Sequence, residues 1–505
     1  MNKIITLDNL IKKIRELKKK NKKISLSHGV FDLLHPGHIY HFEQAKNKAD
    51  ILIVSITADK YVLKGPGKPY FNEKVRAHSL SSLEIIDYVV VSYDKSSVSI
   101  INKIKPHFYF KGSDYKNSNS DVTGKIELEK KAVKKNGGKV VFTHGQVFSS
   151  SKIINKEFFY NKEQNEFLKN IKQKYTNQNI MSYVDSLSTI IPMVLGESII
   201  DEYVFCKAIG KAGKEPYMVL QEKKSEEYLG GVLSIAQNLS ALTKKVNLLS
   251  VLGSKNNFEA KIRKKLNRNI IQNFVSTKNS QTILKKRFIE EVDNTKLLGI
   301  YSISDENLLR QDENMLLRRF KSISKKSDLI ILSDYGHGFF DKKLRNLIFK
   351  EKKFLALNVQ VNSFSIGYHT VTKYKKADLI LMNEQEMRHE LRDKTSDRKN
   401  LINKLEKIIK CKFIAVTHGK TGATIYSTKT KKTFHVPAFA RKVIDKVGAG
   451  DALFPILATC LSLKVPMDIS LYIASISAAI NSESYASKST LEKIYFKKYL
   501  EHSLK

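Results

Sequence analysis

The sequence predicts an α/β fold made of two doubly wound domains, a small one in front and a larger one carrying a small β lid. Three observations predict it. Short runs rich in Ile, Val and Leu alternate with amphipathic stretches, the rhythm of strand and helix in a parallel sheet. Two of these strand–helix units meet in a glycine-bearing polar turn, at residues 27–38 and again at residues 445–454. Between them, a stretch rich in Lys, Asn, Gln and Tyr interrupts the rhythm.

A length of 505 residues is too great for one ordinary domain and suits two or three. Lys plus Arg number 88 against 50 acidic residues, which raises nucleic acid or a membrane surface as partners. The lysines are spread through the whole chain, without a basic arm or a basic-aromatic RNA motif, so neither partner is expected. No apolar run approaches the roughly 20 residues of a membrane span. Residues 1–20 read as a charged amphipathic helix, not a signal peptide. Cys206, Cys411 and Cys460 are too far apart for metal-ligand spacing or a disulfide framework, which suits a reducing cytosol.

In the first domain, residues 23–26 read as a strand, 39–48 as a helix and 50–57 as a second buried strand. The turn between strand and helix is Ser27-His28-Gly29-Val30-Phe31-Asp32-Leu33-Leu34-His35-Pro36-Gly37-His38. A helix start offers free N–H groups and a positive dipole end to phosphates, and imidazoles placed there donate to phosphate oxygens. Two ordinary loop histidines are the bland alternative; the agreement of strand, turn and helix favours the site. Next comes a basic loop, Lys64-Gly65-Pro66-Gly67-Lys68-Pro69, then a helix with Asn72 as N-cap. Lys64 and Arg76 can pair with phosphate oxygens, whereas Lys68 alone reads as solvated. A third strand at 87–91 and the run Pro106-His107-Phe108-Tyr109-Phe110 lead into Lys111-Gly112-Ser113-Asp114-Tyr115. A strand at 139–143 precedes Ser149-Ser150-Ser151, hydroxyls that cap a helix and also bind phosphate.

His35-Pro36-Gly37-His38, with Gly29, Phe31 and Asp32 ahead of it, resembles the H-x-G-H signature of the cytidylyltransferase-like nucleotidyltransferases. The resemblance covers residues 22–155 and implies a small Rossmann-like domain. It also implies transfer of a nucleotidyl group from an NTP to a phosphate, with release of pyrophosphate and no covalent enzyme intermediate. His35, His38 and Lys64 would be catalytic. Gly29, Phe31, Asp32, Arg76, Lys111, Gly112, Asp114 and the three serines would bind the nucleotide.

Residues 156–188 read as a linker, either a tether or a bridging helix over 157–175. A new sheet starts at 189–197 and opens the second domain, residues 189–500. Alternating segments between Tyr203 and Tyr228 suggest the lid, and Gly230-Gly231 precedes a helix at 232–242. Strands at 246–252, 329–333, 379–382 and 413–417 follow. The last three end in polar turns, at Asp334-Tyr335-Gly336-His337, Asn383-Glu384-Gln385-Glu386 and His418-Gly419-Lys420-Thr421-Gly422, where a doubly wound sheet binds ligands.

In Asp445-Lys446-Val447-Gly448-Ala449-Gly450-Asp451-Ala452, small residues let backbone N–H groups close around an anion, and Asp451 can take a proton from an attacking hydroxyl. Phosphoryl transfer needs those two functions. The stretch resembles the G-A-G-D signature of the ribokinase-like (PfkB) sugar kinases. By that resemblance Asp451 is the general base and Gly448, Ala449 and Gly450 form the anion hole. Asn383 and Glu386 organise magnesium and phosphates, Gly419 and Gly422 lie on the ATP side, and Asp201, Gly230 and Gly231 lie on the sugar side. Thr282, Lys285 and Arg287 fall where heptose kinases carry a phosphosugar-contacting segment; a solvated basic strand is the alternative for the two cations. The sequence departs from the family at Ser234, where an Asn is usual and Asn238 is a substitute, and at Pro455, which is expected to kink the helix after Asp451.

The pairing resembles the bifunctional heptose-7-phosphate kinase/heptose-1-phosphate adenylyltransferase family, in which the kinase comes first; here the transferase does. The resemblance implies a cytoplasmic homodimer acting on a sugar phosphate and a nucleoside triphosphate with Mg2+, on the way to ADP-heptose for lipopolysaccharide. ATP or CTP is the nucleotide donor. A CDP-activated sugar or polyol is the first alternative, and a degenerate, regulatory kinase half is the second.

Overall fold

The computed structural model describes residues 3–62, 69–94, 96–112, 125–144, 160–256, 258–278, 280–292, 294–303, 308–361, 365–485 and 491–504. The chain forms two compact units, one of residues Met1–Asn165 with Ile494–Lys505 and one of Glu166–Lys493. The mixed α/β class and the doubly wound sheets are those the sequence predicts.

In the first unit five strands pair in the order β3-β2-β1-β4-β5. They are β1 (Ile24–Gly29), β2 (Ile51–Thr57), β3 (Tyr88–Ser92), β4 (Phe108–Lys111) and β5 (Lys139–Phe142), and every pairing is parallel. A parallel sheet is covered on both faces, so its strands carry apolar residues at consecutive positions. Leu26, Ile53, Val90 and Tyr109 pack on one face with Leu10 and Ile14 of the helix Leu7–Lys19. Leu52, Val54, Val89 and Phe110 pack on the other with Phe42 and Leu80. The order of strands reverses between β1 and β4, which places a ligand crevice at their C-terminal ends.

The second unit is built around one strand that serves two sheets. β6 (Pro192–Lys211) is 20 residues long. Its first part runs parallel between β8 (Val246–Gly253) and β12 (Leu329–Asp334). The parallel array continues outward through β9 (Ile270–Thr277) on one side. On the other side it runs through β13 (Phe354–Val359), β14 (Leu379–Asn383) and β15 (Phe413–Thr417), then antiparallel β16 (Ala423–Ser427) and β17 (Thr433–Val436). From Ser198 on, β6 pairs antiparallel with β7 (Met218–Gly231) and parallel with β10 (Ile283–Glu290), which carries β11 (Lys296–Ser302) at its edge. This second sheet is the lid. Gly196 sits at the changeover with φ +154°, and a Cβ there would lie 2.1 Å from the Ser333 carbonyl oxygen, so only glycine lets β6 pass.

The stretch read as a linker is largely helical, Lys162–Lys174 followed by Asn177–Ser186. From Glu166 onward it belongs to the second unit: Phe167 packs on Tyr472 and Phe439, and the Tyr175 hydroxyl donates to Asp468 at 2.8 Å. Pro455 does not interrupt its helix, which runs unbroken over Ala449–Ser462. The ring removes only the amide that would have met the Asp451 carbonyl, and every position from Ala452 to Leu461 is buried and holds the helix in place.

Candidate active sites

In the first unit, β1 delivers Gly29 to the switch point and the chain turns into the helix Pro36–Asn47. Pro36 sits in the first turn, where the missing N–H costs nothing, and His35 is the N-cap. His35 and His38 are one turn apart, so their rings stack at 3.8 Å with 17° between planes. Phe31, at φ +48°, presents its ring edge to His38 at 5.3 Å and packs on Phe42. Both imidazoles therefore stand at the positive end of a helix, on a rigid aromatic support.

Other predicted residues surround this turn. Both carboxylate oxygens of Asp32 accept backbone N–H groups, from Tyr70 at 2.8 Å and Phe71 at 2.9 Å. Gly29 lies so close to Phe31 that a Cβ would meet its ring at 3.0 Å. Lys111 Nζ lies 3.0 Å from Glu129, with both side chains nearly buried, and Gly112 follows it in open space. Arg76 departs from its expected place at the phosphates. Its side chain is 0% exposed. It donates to the carbonyls of Val30 (2.6 Å), Thr57 (2.8 Å) and Phe71 (3.0 Å) and to Asp59 (2.6 Å). A guanidinium with no exposed surface and four of its five N–H groups given to protein acceptors is a clamp on the turn, not a free phosphate ligand. Arg76→Met is thus expected to destabilise the first unit by about 2–4 kcal/mol, since it strands buried carbonyls. Urea unfolding followed by hydrogen exchange over β1 and β2 measures this; a change below about 0.5 kcal/mol contradicts it. Lys64, Asp114, Ser149, Ser150 and Ser151 lie outside the described residues.

Sequence reasoning missed His41, the next position in the i,i+3 repeat that joins His35 and His38. Its Nε2 meets Ser27 Oγ at 3.0 Å and its Nδ1 meets Thr143 Oγ1 at 3.3 Å. Burial, helped by the Lys111 charge, lowers its pKa to about 4, so it is a neutral tie between β1, the helix and β5.

In the second unit the site forms where β6, β12 and β13 end. Gly448, at φ +81°, caps the helix Ala449–Ser462, so the amides of Ala449 and Gly450 fall in the first turn, where a helix has no partner of its own for them, and Asp451 lies in the same turn. Asp451 is 9% exposed. Its Oδ1 accepts from Gln360 Nε2 at 2.9 Å and from the Tyr335 hydroxyl at 3.2 Å. Burial raises its pKa to about 7, and the nearby Asp201 charge acts in the same direction. Glu197, at the end of the first part of β6, accepts the N–H groups of Tyr335 (3.0 Å) and His337 (3.1 Å) and fixes that turn. Burial, with the Asp334 charge, pushes its carboxyl well above the usual range.

On the lid side, Asp201 and Arg287 form an ion pair, and Lys285 Nζ lies 5.7 Å from the Tyr301 ring and 5.9 Å from Tyr335. Lys285 and Arg287 are thus enclosed, not a solvated basic strand; burial lowers the Lys285 pKa. Thr282, at the start of this segment, is 2% exposed, and its hydroxyl accepts the Gly253 N–H at 3.1 Å. Gly230 faces Asp201, whose carboxylate would be 2.2 Å from any Cβ, and Gly231 has φ +56°. Asn383 and Glu386 make a reciprocal capping box: Asn383 Oδ1 accepts the Glu386 N–H at 2.7 Å and Glu386 accepts the Asn383 N–H at 2.8 Å. Burial raises the Glu386 pKa to about 7, with the Asp451 charge contributing. Gly419 and Gly422 shape the turn after β15, where a Cβ on Gly422 would lie 2.0 Å from the Val436 carbonyl oxygen. Ser234 and Asn238 are both buried on the helix Val232–Ser240, and Asn238 Nδ2 has no hydrogen-bond partner among the described residues. Among the described residues no three His, Cys, Asp or Glu side chains form a metal cluster, and no helix is long and apolar enough to cross a membrane.

Comparison with known proteins adds to this geometry. The family model described as pfkB family carbohydrate kinase matches residues 192–494, and that described as Cytidylyltransferase-like matches residues 26–156. Over 291 residues the chain is 26% identical to the Bifunctional protein HldE of Campylobacter jejuni, covering 57% of this chain and 60% of that one. Over 141 residues it is 36% identical to the protein of the same name from Methylobacillus flagellatus, covering 28% of each. The chain thus spans no more than 60% of the length of these relatives. A phosphofructokinase-2 mutant from Escherichia coli matches with TM-score 0.52 and 13% identity, covering 62% of this chain and 99% of that one. Arabidopsis thaliana ribokinase, complexed with ribose and ATP, matches with TM-score 0.50 and 16% identity, covering 62% and 98%. These two likenesses show the fold of the second unit.

Proposed function

Because the chain belongs to the pfkB family of carbohydrate kinases and carries a cytidylyltransferase-like domain ahead of the kinase, we propose that it is a bifunctional enzyme of ADP-heptose synthesis. The kinase half transfers the γ-phosphoryl group of ATP to the anomeric hydroxyl of heptose 7-phosphate. A separate phosphatase then removes the 7-phosphate. The transferase half joins the heptose 1-phosphate to AMP from ATP, and pyrophosphate leaves. The relatives named Bifunctional protein HldE support this pairing.

One observation carries the kinase reading: a buried carboxylate, Asp451, held by Tyr335 and Gln360 in the first turn of a helix capped by Gly448. As base, Asp451 takes the proton of the anomeric hydroxyl while that oxygen attacks phosphorus. Gly448, Ala449 and Gly450 receive the charge that develops on the phosphoryl oxygens. Asp201, Gly230, Gly231, Lys285 and Arg287 shape the sugar side, and Gly419 and Gly422 the ATP side. When bound, Mg2+ would supply charge neutralisation to the phosphates. Asn383 and Glu386 fit it indirectly, through water, because their side-chain oxygens also cap a helix and no cage of acidic ligands stands nearby among the described residues. Pro455 leaves the helix intact, which supports a working kinase over a regulatory one. In the transferase half, His35 and His38 hold the triphosphate, joined by Lys64. Gly29, Phe31, Asp32, Lys111, Gly112, Asp114 and the serines at 149–151 form the nucleotide pocket, and Arg76 braces it. A cytoplasmic homodimer belongs to the same reading, and light scattering of the purified chain tests the dimer.

A base with a pKa near 7 gives a sign to the pH dependence. Asp451 must be ionised to accept the proton, so kinase kcat/KM rises with pH through about 7 and falls in acid. A pH profile of ATP consumption with heptose 7-phosphate measures it. A rate that stays flat across neutral pH contradicts the assignment.

A further inference from the structure

The turn that leads into the anion hole is fastened from two sides. From the helix Met467–Ser482, the Ser482 carbonyl accepts the N–H groups of Ile444 (2.8 Å) and Asp445 (3.2 Å), and Asn481 Nδ2 donates to the Val447 carbonyl at 3.2 Å. From the lid, two side chains converge on the Asp445 carboxylate, which is 1% exposed. The Tyr203 hydroxyl donates to Oδ2 at 2.5 Å, and Lys296 Nζ donates to Oδ1 at 2.6 Å. The same Oδ1 accepts the Val447 N–H at 3.1 Å. A buried carboxylate must be fully partnered, and two of these three donors come from the lid sheet.

Those two side chains are tied to the sugar side. Tyr203 on β6 lies opposite Arg287 on β10, and the Arg287 guanidinium is 5.6 Å from the Tyr203 ring. Arg287 is the partner of Asp201. Lys296 opens β11 at the edge of the same sheet and lies 5.7 Å from the Tyr203 ring. Its side chain is 40% exposed, so it enters from solvent, whereas Asp445 does not move without the turn it holds.

We propose that Lys296 and Tyr203 form a latch from the lid to the anion hole: they are positioning residues that hold Asp445 and, through the Val447 amide, set the Gly448–Gly450 turn. Docking of the lid and ordering of the phosphate-binding amides are then one event, so an occupied sugar site and a competent anion hole arise together. The inference rests on the kinase reading for its catalytic meaning. Its structural content, order in residues 445–452 that depends on the lid, stands apart from any substrate.

The test uses the full chain and the variants Lys296→Ala, Lys296→Arg and Tyr203→Phe. Amide hydrogen exchange over residues 445–452 is read in the free protein, beside kinase kinetics with ATP and heptose 7-phosphate. Lys296→Ala is expected to raise exchange in that segment about ten-fold. It is expected to lower kcat about 10- to 100-fold, the effect of a small misplacement of catalytic groups, with sugar KM changed less than about two-fold. Lys296→Arg and added ethylammonium are expected to restore part of kcat, which loss of folding would not allow. Tyr203→Phe shifts both readouts the same way. Unchanged exchange over 445–452 in both Lys296→Ala and Tyr203→Phe overturns the latch, whatever the activity. A wild-type chain that is silent with heptose 7-phosphate counts against the kinase reading alone, and exchange still decides the latch.

Discussion

Asp451→Asn removes the proton acceptor and leaves the shape of the site in place, and the expected result is a fall in kinase kcat of about 10²–10⁴-fold. The amide is isosteric, and its oxygen still accepts from Tyr335 and Gln360, so the helix start is not disturbed. The proposed phosphate contacts of the Gly448–Gly450 amides do not involve the carboxylate, so the KM for ATP is expected to stay within a few-fold. The substitution also replaces a carboxyl whose burial is unfavourable when ionised, so thermal stability at neutral pH is expected to hold or rise. Pyrophosphate release by the same chain is expected to be untouched. A variant that keeps wild-type kinase kcat sinks the assignment of Asp451 as base.

The second large effect lies in the other half. His38→Ala is expected to lower nucleotidyl transfer by about 10²–10³-fold, the scale for loss of one preorganised donor to a developing charge. His38 stands on the helix Pro36–Asn47, stacked on His35 and edge-on to Phe31, so its ring is fixed before any ligand arrives. Preorganisation is what makes the loss large: no rotamer entropy is spent at the moment of reaction. The kinase rate with heptose 7-phosphate is expected to stay at the wild-type value. Equal loss in both assays would mean that the substitution unfolds the chain or that the two halves do not act separately.

Much of this arrangement is legible in the sequence because it is local. The H-x-G-H turn and the G-A-G-D turn each lie inside one strand–helix unit, where glycine and proline placement follow from short-range geometry. Asn72 caps its helix as its residue type predicts, accepting the Val75 N–H at 3.0 Å. What the sequence hides is long-range. Tyr335 and Gln360 reach Asp451 from strand ends 116 and 91 positions away. Glu197 looks like any acidic residue after a strand until two backbone amides of another turn close on it. Arg76 follows a helix start near a basic loop and reads as a phosphate ligand. Only the fold reveals that carbonyls of residues 30, 57 and 71 converge around it. In the sequence the 20-residue β6 reads as two pieces, because its change of sheet at Gly196 depends on the approach of Ser333.

The central claim is that one chain holds two separate active sites acting on the same sugar. The most direct measurement gives the purified chain heptose 1-phosphate and magnesium with ATP or with CTP, and follows pyrophosphate and the mass of the sugar nucleotide. The account predicts pyrophosphate and ADP-heptose with ATP, lost in His38→Ala and fully retained in Asp451→Asn. Release with CTP alone, or release that disappears in Asp451→Asn, would contradict it.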